Sequence, residues 1–390
     1  MFGHTTRDGF ALDPDLLYLN HGTVGVPPKR VLALQQRIRD QIEGNPSHAL
    51  LRLMTEIGVG PDDGTPHLRV AAGRVAQAFG AEPRDVVFVD NTTTGINAVL
   101  RSFRFGRDEG IAVTSLGYGA INHAAAYVAR ERGVPLHTID LPFRVDGPQA
   151  LIDAFAAGLA PGTRVAVIDH ICSDSGAVWP IEALVDVCHA NGTLALVDGA
   201  HAPGCIPLDI PATGADWYVA NLHKWAWSPR SSGILWARRE LQDGLHPVVI
   251  SWGLDQGFTA EFDYVGTRDP SAHLAAPEGL AMLEELGLDR VLAYNHALAC
   301  EGVGIVADLV GGSPVQPDPM VSSMGSVTLP ERFGTTHPEM RALRRHLMDA
   351  HRIEVGAACR EGRISVRVAA QIYNEASDYA RLGTVLRDLP

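Results

Sequence analysis

Short apolar runs and longer amphipathic stretches alternate along most of this chain. The runs fall at residues 86–89, 110–113, 165–168, 194–197, 217–220 and 233–236, and none contains a charged side chain. A strand with one wet face alternates polar and apolar residues. A continuous run needs cover on both faces, which predicts a parallel or mixed sheet between helices. Helical spacing follows the first three runs, over 94–103, 120–132 and 181–191. Upstream, Val31, Leu34, Ile38 and Ile42 recur at helical spacing and predict a helix over 30–43, and a second spans 68–79 before Gly80. The first 30 residues are extended and punctuated by Pro and Gly.

After about residue 269 the texture changes. Helices over 276–286 and 288–310 precede a Gly/Pro-rich break at 311–319. A strand (323–329), helix (338–351), strand (363–368) and helix (375–386) follow. The expected architecture is α/β: an extended arm over 1–30, a large domain over 31–268 with a mostly parallel sheet, and a smaller α+β domain over 269–390. Ligands of such sheets bind beyond the carboxyl ends of the strands.

With 46% hydrophobic and 20% charged residues, the 390-residue chain can bury a core, which excludes wholesale disorder. A net charge of −13 repels polyanions, so neither nucleic acid nor an anionic membrane is an expected partner. No run of 18 apolar residues predicts a membrane span, and residues 1–15 do not read as a signal peptide. The cysteines, 172, 188, 205, 300 and 359, stand singly. They predict neither a disulfide scaffold nor a metal site, and suit a reduced cytoplasm.

The cations are more informative. Of 32 basic residues only Lys29 and Lys224 are lysines. Where arginine serves nearly every generic charge, a retained lysine marks a site whose chemistry arginine cannot do, such as losing a proton and attacking a carbonyl. Lys29 follows two prolines and reads as a helix-entry charge, whereas Lys224 sits in Asn-Leu-His-Lys-Trp-Ala-Trp beyond an apolar run. Strand 194–197 ends in Asp198-Gly-Ala-His201. A carboxylate there needs a cation or a protonated ligand, though a turn cap has the same appearance. Residues 91–97, Asn-Thr-Thr-Thr-Gly-Ile-Asn, join a strand to a helix and could cradle an anion or simply cap the helix. No Gly-rich dinucleotide loop or P-loop pattern occurs.

The order of these features resembles the fold-type-I pyridoxal-phosphate enzymes, in particular the class V aminotransferase group and its isopenicillin N epimerase-like members. The residues carrying the resemblance are 18–22, 91–97, 197–204, 223–225, 261–269 and 367–373, nearly the length of the chain. The resemblance implies that Lys224 holds the cofactor covalently and shuttles the Cα proton, and that Asp198 pairs with the pyridine nitrogen. It places His201 near the phenolic oxygen and Tyr118 on the ring face, where a packed core tyrosine is the alternative. Thr93, Thr94 and His223 would bind the phosphate, and Ser173 would lie near the phenolic oxygen. Thr267 would reach the phosphate of a neighbouring subunit, implying a homodimer with shared sites. Arg367 would grip the substrate carboxylate, with Asn20 and His21 beside the substrate.

The same resemblance implies Cα deprotonation of an amino acid, leading to epimerisation or transamination. The alternatives are a C–S β-lyase and a non-catalytic binding protein on the same scaffold. Epimerisation needs a proton donor opposite Lys224, for which His21, Tyr118 and Tyr264 are candidates. A desulfurase needs a cysteine on a mobile loop. Cys359 lies eight residues before Arg367 on too short a tether, so no sulfur-transfer role is expected of it.

Overall fold

The computed structural model describes residues 2–53 and 65–389. The chain forms twelve strands in two sheets among these residues: β1 (Leu17–Leu19), β2 (Val86–Val89), β3 (Gly110–Thr114), β4 (Leu136–Ile139), β5 (Thr163–Asp169), β6 (Leu194–Asp198), β7 (Trp217–Asn221), β8 (Gly233–Ala237), β9 (Ser313–Pro314), β10 (Met324–Thr328), β11 (Ile353–Arg360) and β12 (Arg363–Ala369). The larger sheet runs β2-β8-β7-β6-β5-β3-β4 and the smaller β1-β11-β12-β10-β9. In the larger sheet only β8 runs against its neighbours.

The apolar runs become strands because both faces of the large sheet are covered. One face packs against Leu184, Val185 and Trp179, the other against Ile96, Val99 and Val128. Every residue of β2, β3, β7 and β8 is buried. Since β2 and β7 both oppose β8, they run parallel to each other, and β2, β5, β6 and β7 all end at one edge. That edge therefore gathers Asn91, Asp169, Asp198 and Asn221. Gly95 lets the helix Thr92–Ser102 settle there, because a Cβ at this position would lie 2.4 Å from Val219 Cγ1.

Three features add to the expectation. Strand β4, only partly buried and matching none of the six apolar runs, forms an edge of the larger sheet. Within the extended N-terminal segment, β1 pairs in parallel with β11 as the edge of the smaller sheet. Residues 353–360, given no element by the sequence pattern, form β11, which pairs with β12 and places Gly356 opposite Arg367. No helix of the described residues is long and apolar enough to cross a membrane.

Candidate active site

The carboxyl edge of the large sheet opens into a cavity of about 320 Å³. Lys224, Asp198, His201, His223, Tyr118, Ser173 and Thr93 line it, and Thr92, Asp169, Asn221 and Arg230 are among the other polar residues of its wall. Five of the segments in that list are far apart in sequence, and the strand ends bring them together. A wider groove of about 870 Å³ runs past Phe103, Trp217 and Glu261. It contains no lysine, and its Ser102 hydroxyl meets the backbone of His246 rather than the imidazole.

Lys224 stands just beyond β7, immediately ahead of two fully buried indoles, Trp225 and Trp227. Trp227 has φ 57° and Ser231 φ 66°, left-handed backbone that non-glycine residues adopt at a cost of about 1 kcal/mol or more each. The packing on either side thus holds the lysine turn in a conformation the loop would not choose alone. Gly25, at φ 66°, lies against it: a Cβ there would fall 1.9 Å from the His223 carbonyl oxygen.

The lysine amine lies 3.0 Å from His201 Nε2. On the other side of that ring, the Trp225 indole N–H donates to His201 Nδ1 over 3.4 Å. An indole only donates, so Nδ1 accepts and the imidazole proton sits on Nε2, facing the amine. Lys224 can accept that proton only when uncharged. Burial pushes the amine down to about 8 although Asp198 pulls the other way. Burial likewise holds His201 neutral, well below the ordinary imidazole range, and Lys224 adds to this.

Asp198 is buried, its Oδ1 accepts the Ala200 N–H at 2.9 Å, and burial raises its carboxyl to about 6. A cationic ring nitrogen placed against it would supply the missing counter-charge. At the start of the helix Thr92–Ser102, Asn221 Oδ1 accepts the Thr92 N–H and Asn91 Oδ1 accepts the Thr94 N–H, each at 2.9 Å. The Thr93 N–H, in the first turn, has no intrahelical acceptor. The Thr92 hydroxyl is buried without a partner. Thr94 is turned toward Asn91, donating its hydroxyl to the same oxygen at 3.2 Å, and is not part of the cavity wall. The threonine pair at the wall is therefore 92 and 93, not 93 and 94. His223 donates from Nδ1 to the Ser232 carbonyl at 2.9 Å, which leaves Nε2 for the cavity.

Arg367 is buried on β12 and is not itself part of the cavity lining, though two of its partners, Ser173 and Thr23, are. Its Nη1 donates to the Ser173 carbonyl, and its Nη2 to Asn20 Oδ1 at 3.1 Å and Thr23 Oγ1 at 3.0 Å. Its Nε has no partner, and no carboxylate of the described residues forms an ion pair with it. A buried guanidinium without a counter-ion is a strong anion acceptor. Asn20 and His21 serve behind the wall. Asn20 donates to Glu354 Oε1 at 2.9 Å while orienting Arg367. His21 donates from Nε2 to the Lys224 carbonyl at 3.1 Å, and its Nδ1 accepts from the Tyr373 hydroxyl at 2.8 Å. Both ring nitrogens are engaged, and Nε2 ties the lysine turn to this ring.

Tyr118 caps the helix Gly119–Arg132 and is 49% exposed on the cavity wall, so it is not a packed core residue. Thr267 is exposed away from the cavity, 3.5 Å from the Tyr264 hydroxyl. Asp169, Asn221 and Arg230 were not anticipated from the sequence. Residues 165–169 and 194–198 both read as four apolar residues and then aspartate, and that shared pattern was the signal for Asp169.

An amine whose proton burial loosens, a carboxylate for a ring nitrogen and a helix N-terminus with the Thr93 N–H to offer a phosphate suit pyridoxal phosphate. The orphaned Thr92 hydroxyl is a further donor on the phosphate side.

The comparisons agree with this chemistry. The model of the family described as aminotransferase class-V matches residues 28–382. The chain is 33% identical over 407 residues to a probable chloroplastic L-cysteine desulfhydrase of Arabidopsis thaliana, covering 97% of this chain and 83% of that protein. It is 28% identical over 396 residues to isopenicillin N epimerase of Streptomyces clavuligerus, covering 97% and 96%. A solved mutant of C-DES with glycine covalently linked to its PLP cofactor superposes with a TM-score of 0.80 at 19% identity, over 98% of this chain and 99% of that one, and shares the fold. The chain belongs to the class-V aminotransferase family, pyridoxal-phosphate-dependent enzymes of fold type I.

Proposed function

We propose that the protein removes the Cα proton of an amino-acid substrate and, where the β-carbon carries sulfur, releases that sulfur by β-elimination. The observation that carries this reading is the Lys224 amine, 3.0 Å from His201 Nε2 and pushed down by burial to about 8, which brings its proton-accepting form within reach near neutral pH. When bound, the cofactor supplies a sink for the electron pair that develops at Cα. Asp198 keeps a proton on the ring nitrogen; Thr92, Thr93 and His223 hold the phosphate end. The Arg367 guanidinium receives the substrate carboxylate and fixes which Cα bond faces Lys224. Lys224 takes the Cα proton, the Cβ–S bond breaks with its pair on sulfur, and water releases a keto acid and ammonia.

Elimination is favoured over inversion because the proton donors that inversion needs are scarce. His21 has both ring nitrogens engaged, and Tyr264 lies outside the cavity wall. The 33% identical desulfhydrase points the same way. Epimerisation is the second reading, and Tyr118 favours it: its phenol stands exposed on the wall, where it could return a proton from the other face.

The working unit in this reading is a homodimer with shared sites. Val248, Val249, Ile250, Trp252 and Leu254 form an exposed apolar strip, with Trp252 83% exposed. Single chains rarely leave such a strip open to water. It lies near the exposed Thr267 in sequence, the residue proposed to reach the partner's phosphate. Five free thiols fit a cytoplasmic setting.

The test is incubation of the purified protein with L-cysteine, cystine and a panel of other amino acids in deuterated water. Keto acid, ammonia and released sulfur are expected. Recovery of an inverted amino acid carrying deuterium at Cα, without keto acid, would establish the second reading. No turnover of any amino acid would sink both.

A further inference from the structure

Two carboxylates, not one, meet at the ring-nitrogen side of the cavity. Asp169 and Asp198 are direct register partners at the ends of the parallel strands β5 and β6. Register partners point to the same face of a sheet, and both side chains line the cavity. Each residue is 4% exposed. Asp198 has the Ala200 N–H and the attraction of Lys224. Asp169 has no ion-pair partner among the described residues. The groups that face it are the Asp198 and Asp174 carboxylates, the Cys172 thiol, the more distant Lys224 amine, and the backbone N–H groups of Tyr118 and Asp169 itself.

Two adjacent carboxylates in one dry pocket do not both ionise when a single amine serves them. The amine acts mainly on Asp198. Burial and the Asp198 charge together hold the Asp169 carboxyl well above the usual carboxylate range.

We infer that Asp169 and Asp198 share one proton as a carboxylic acid–carboxylate pair, with Asp169 a positioning residue that acts on a bound pyridine ring through Asp198. The neutral Asp169 carboxyl donates to the Asp198 carboxylate and draws off part of its charge. Asp198 then holds the ring-nitrogen proton less tightly than a lone buried carboxylate would. The pair itself follows from strand register and burial. Its consequence for the ring rests on the functional reading above.

Asparagine has nearly the same shape as aspartic acid and carries no charge, so it separates the two states of Asp169. The pH midpoint of the visible cofactor band is measured in the wild-type holoenzyme and in Asp169→Asn. If Asp169 is already neutral, the midpoint stays within about 0.3 pH unit. If Asp169 is ionised, the substitution removes a negative charge beside the ring, and the midpoint falls by about one unit or more, which overturns the inference. Infrared spectra of the same proteins in deuterated water at pH 8 give a readout independent of the cofactor. A protonated-carboxyl stretch is expected in the wild type and should vanish in Asp169→Asn. Its absence from the wild type, or its survival in that variant, overturns the pair. Should Asp169→Asn fail to fold, Asp263→Asn decides, because Asp263 is the one carboxyl outside the pair that burial raises among the described residues. A stretch that persists there supports Asp169, and one that disappears overturns it. A wild-type protein that binds no cofactor would instead fault the functional reading and leave the infrared result standing.

Discussion

His201 Nε2 lies 3.0 Å from Lys224 Nζ, and the ring is set in that orientation by the Trp225 indole N–H. The relation is directional: a donor-only indole fixes the tautomer, and the tautomer fixes which charge state of the lysine fits. Trp225→Phe removes the N–H while keeping an aromatic ring in the core. Freed of its lock, His201 can turn a lone pair toward the lysine, and the amine gains affinity for its proton. The expected result is a rise in the pH at which the protein forms its reducible lysine adduct with pyridoxal phosphate. A stability loss of about 1 kcal/mol should accompany it. An unchanged pH profile would show that the indole plays no part in setting the amine.

Arg367→Ala should weaken substrate binding while leaving the cofactor band intact. The orphaned Nε and the absence of an ion-pair partner reserve this guanidinium for an anion. A hydrogen bond to a charged group is worth about 1.5–3 kcal/mol, so the substrate's apparent dissociation constant should rise at least about tenfold. Arg367→Lys should recover only part of the loss, because an ammonium lacks the planar fork. Unaltered binding in the alanine variant would make Arg367 a structural cation.

Acid should destabilise the fold well above the ordinary carboxylate range. Burial pushes His21 and His273 down to about 3, His170 and His223 to about 4, and His201 well below its usual value. These imidazoles are neutral in the fold and charged in the unfolded chain below pH about 6.5. The unfolded state then binds more protons, so each group costs about 1.4 kcal/mol per pH unit of acidification. Asp169 and Asp198, with raised carboxyls, act in the opposite sense, since the fold holds their protons more tightly than the unfolded chain does. Five groups against two leave a net loss of about 4 kcal/mol per pH unit between roughly pH 6 and 4.5. Denaturant midpoints at pH 7.5, 6 and 5 check this, and a flat midpoint would contradict it.

Cys359→Ser should keep most of the activity, and no persulfide should form on Cys359. The thiol is buried on β11, donating to the Thr335 carbonyl at 3.3 Å, with its strand paired to β12. A nucleophile must come within about 3–3.5 Å of the reacting sulfur, and a paired strand does not swing. Loss of activity with a persulfide trapped at Cys359 would reverse the assignment.

Much of the site could be read from the sequence because its chemistry is written in short contiguous motifs. Asp198 and His201 share one turn, His223 and Lys224 another, and the scarcity of lysine drew attention to the second. The apolar runs match six of the seven strands of the large sheet, because burial on both faces leaves no alternation to misread, whereas the edge strand β4 is only partly buried and carries no such run. What was hidden depends on pairing across strands. Asp169 is one aspartate at a strand end until the register sets it beside Asp198. β11 was missed because Glu354, Gly356 and Arg360 interrupt its apolar pattern, and β1 is only three residues long. Thr94 shares the threonine run from which a phosphate-binding role is expected, and a run of three threonines does not say which hydroxyl the Asn91 cap will claim.

The central claim is that Lys224 is the residue that holds the cofactor. The direct measurement is borohydride reduction of the purified, pyridoxal-phosphate-loaded protein, followed by peptide mapping of the reduced adduct. There are only two lysines to choose between, and Lys29 is exposed at the start of the helix Lys29–Gly44, outside the cavity wall. The account predicts one adduct per chain, on Lys224, abolished together with the visible band in Lys224→Ala. An adduct on Lys29, or a visible band that survives in Lys224→Ala, would contradict it.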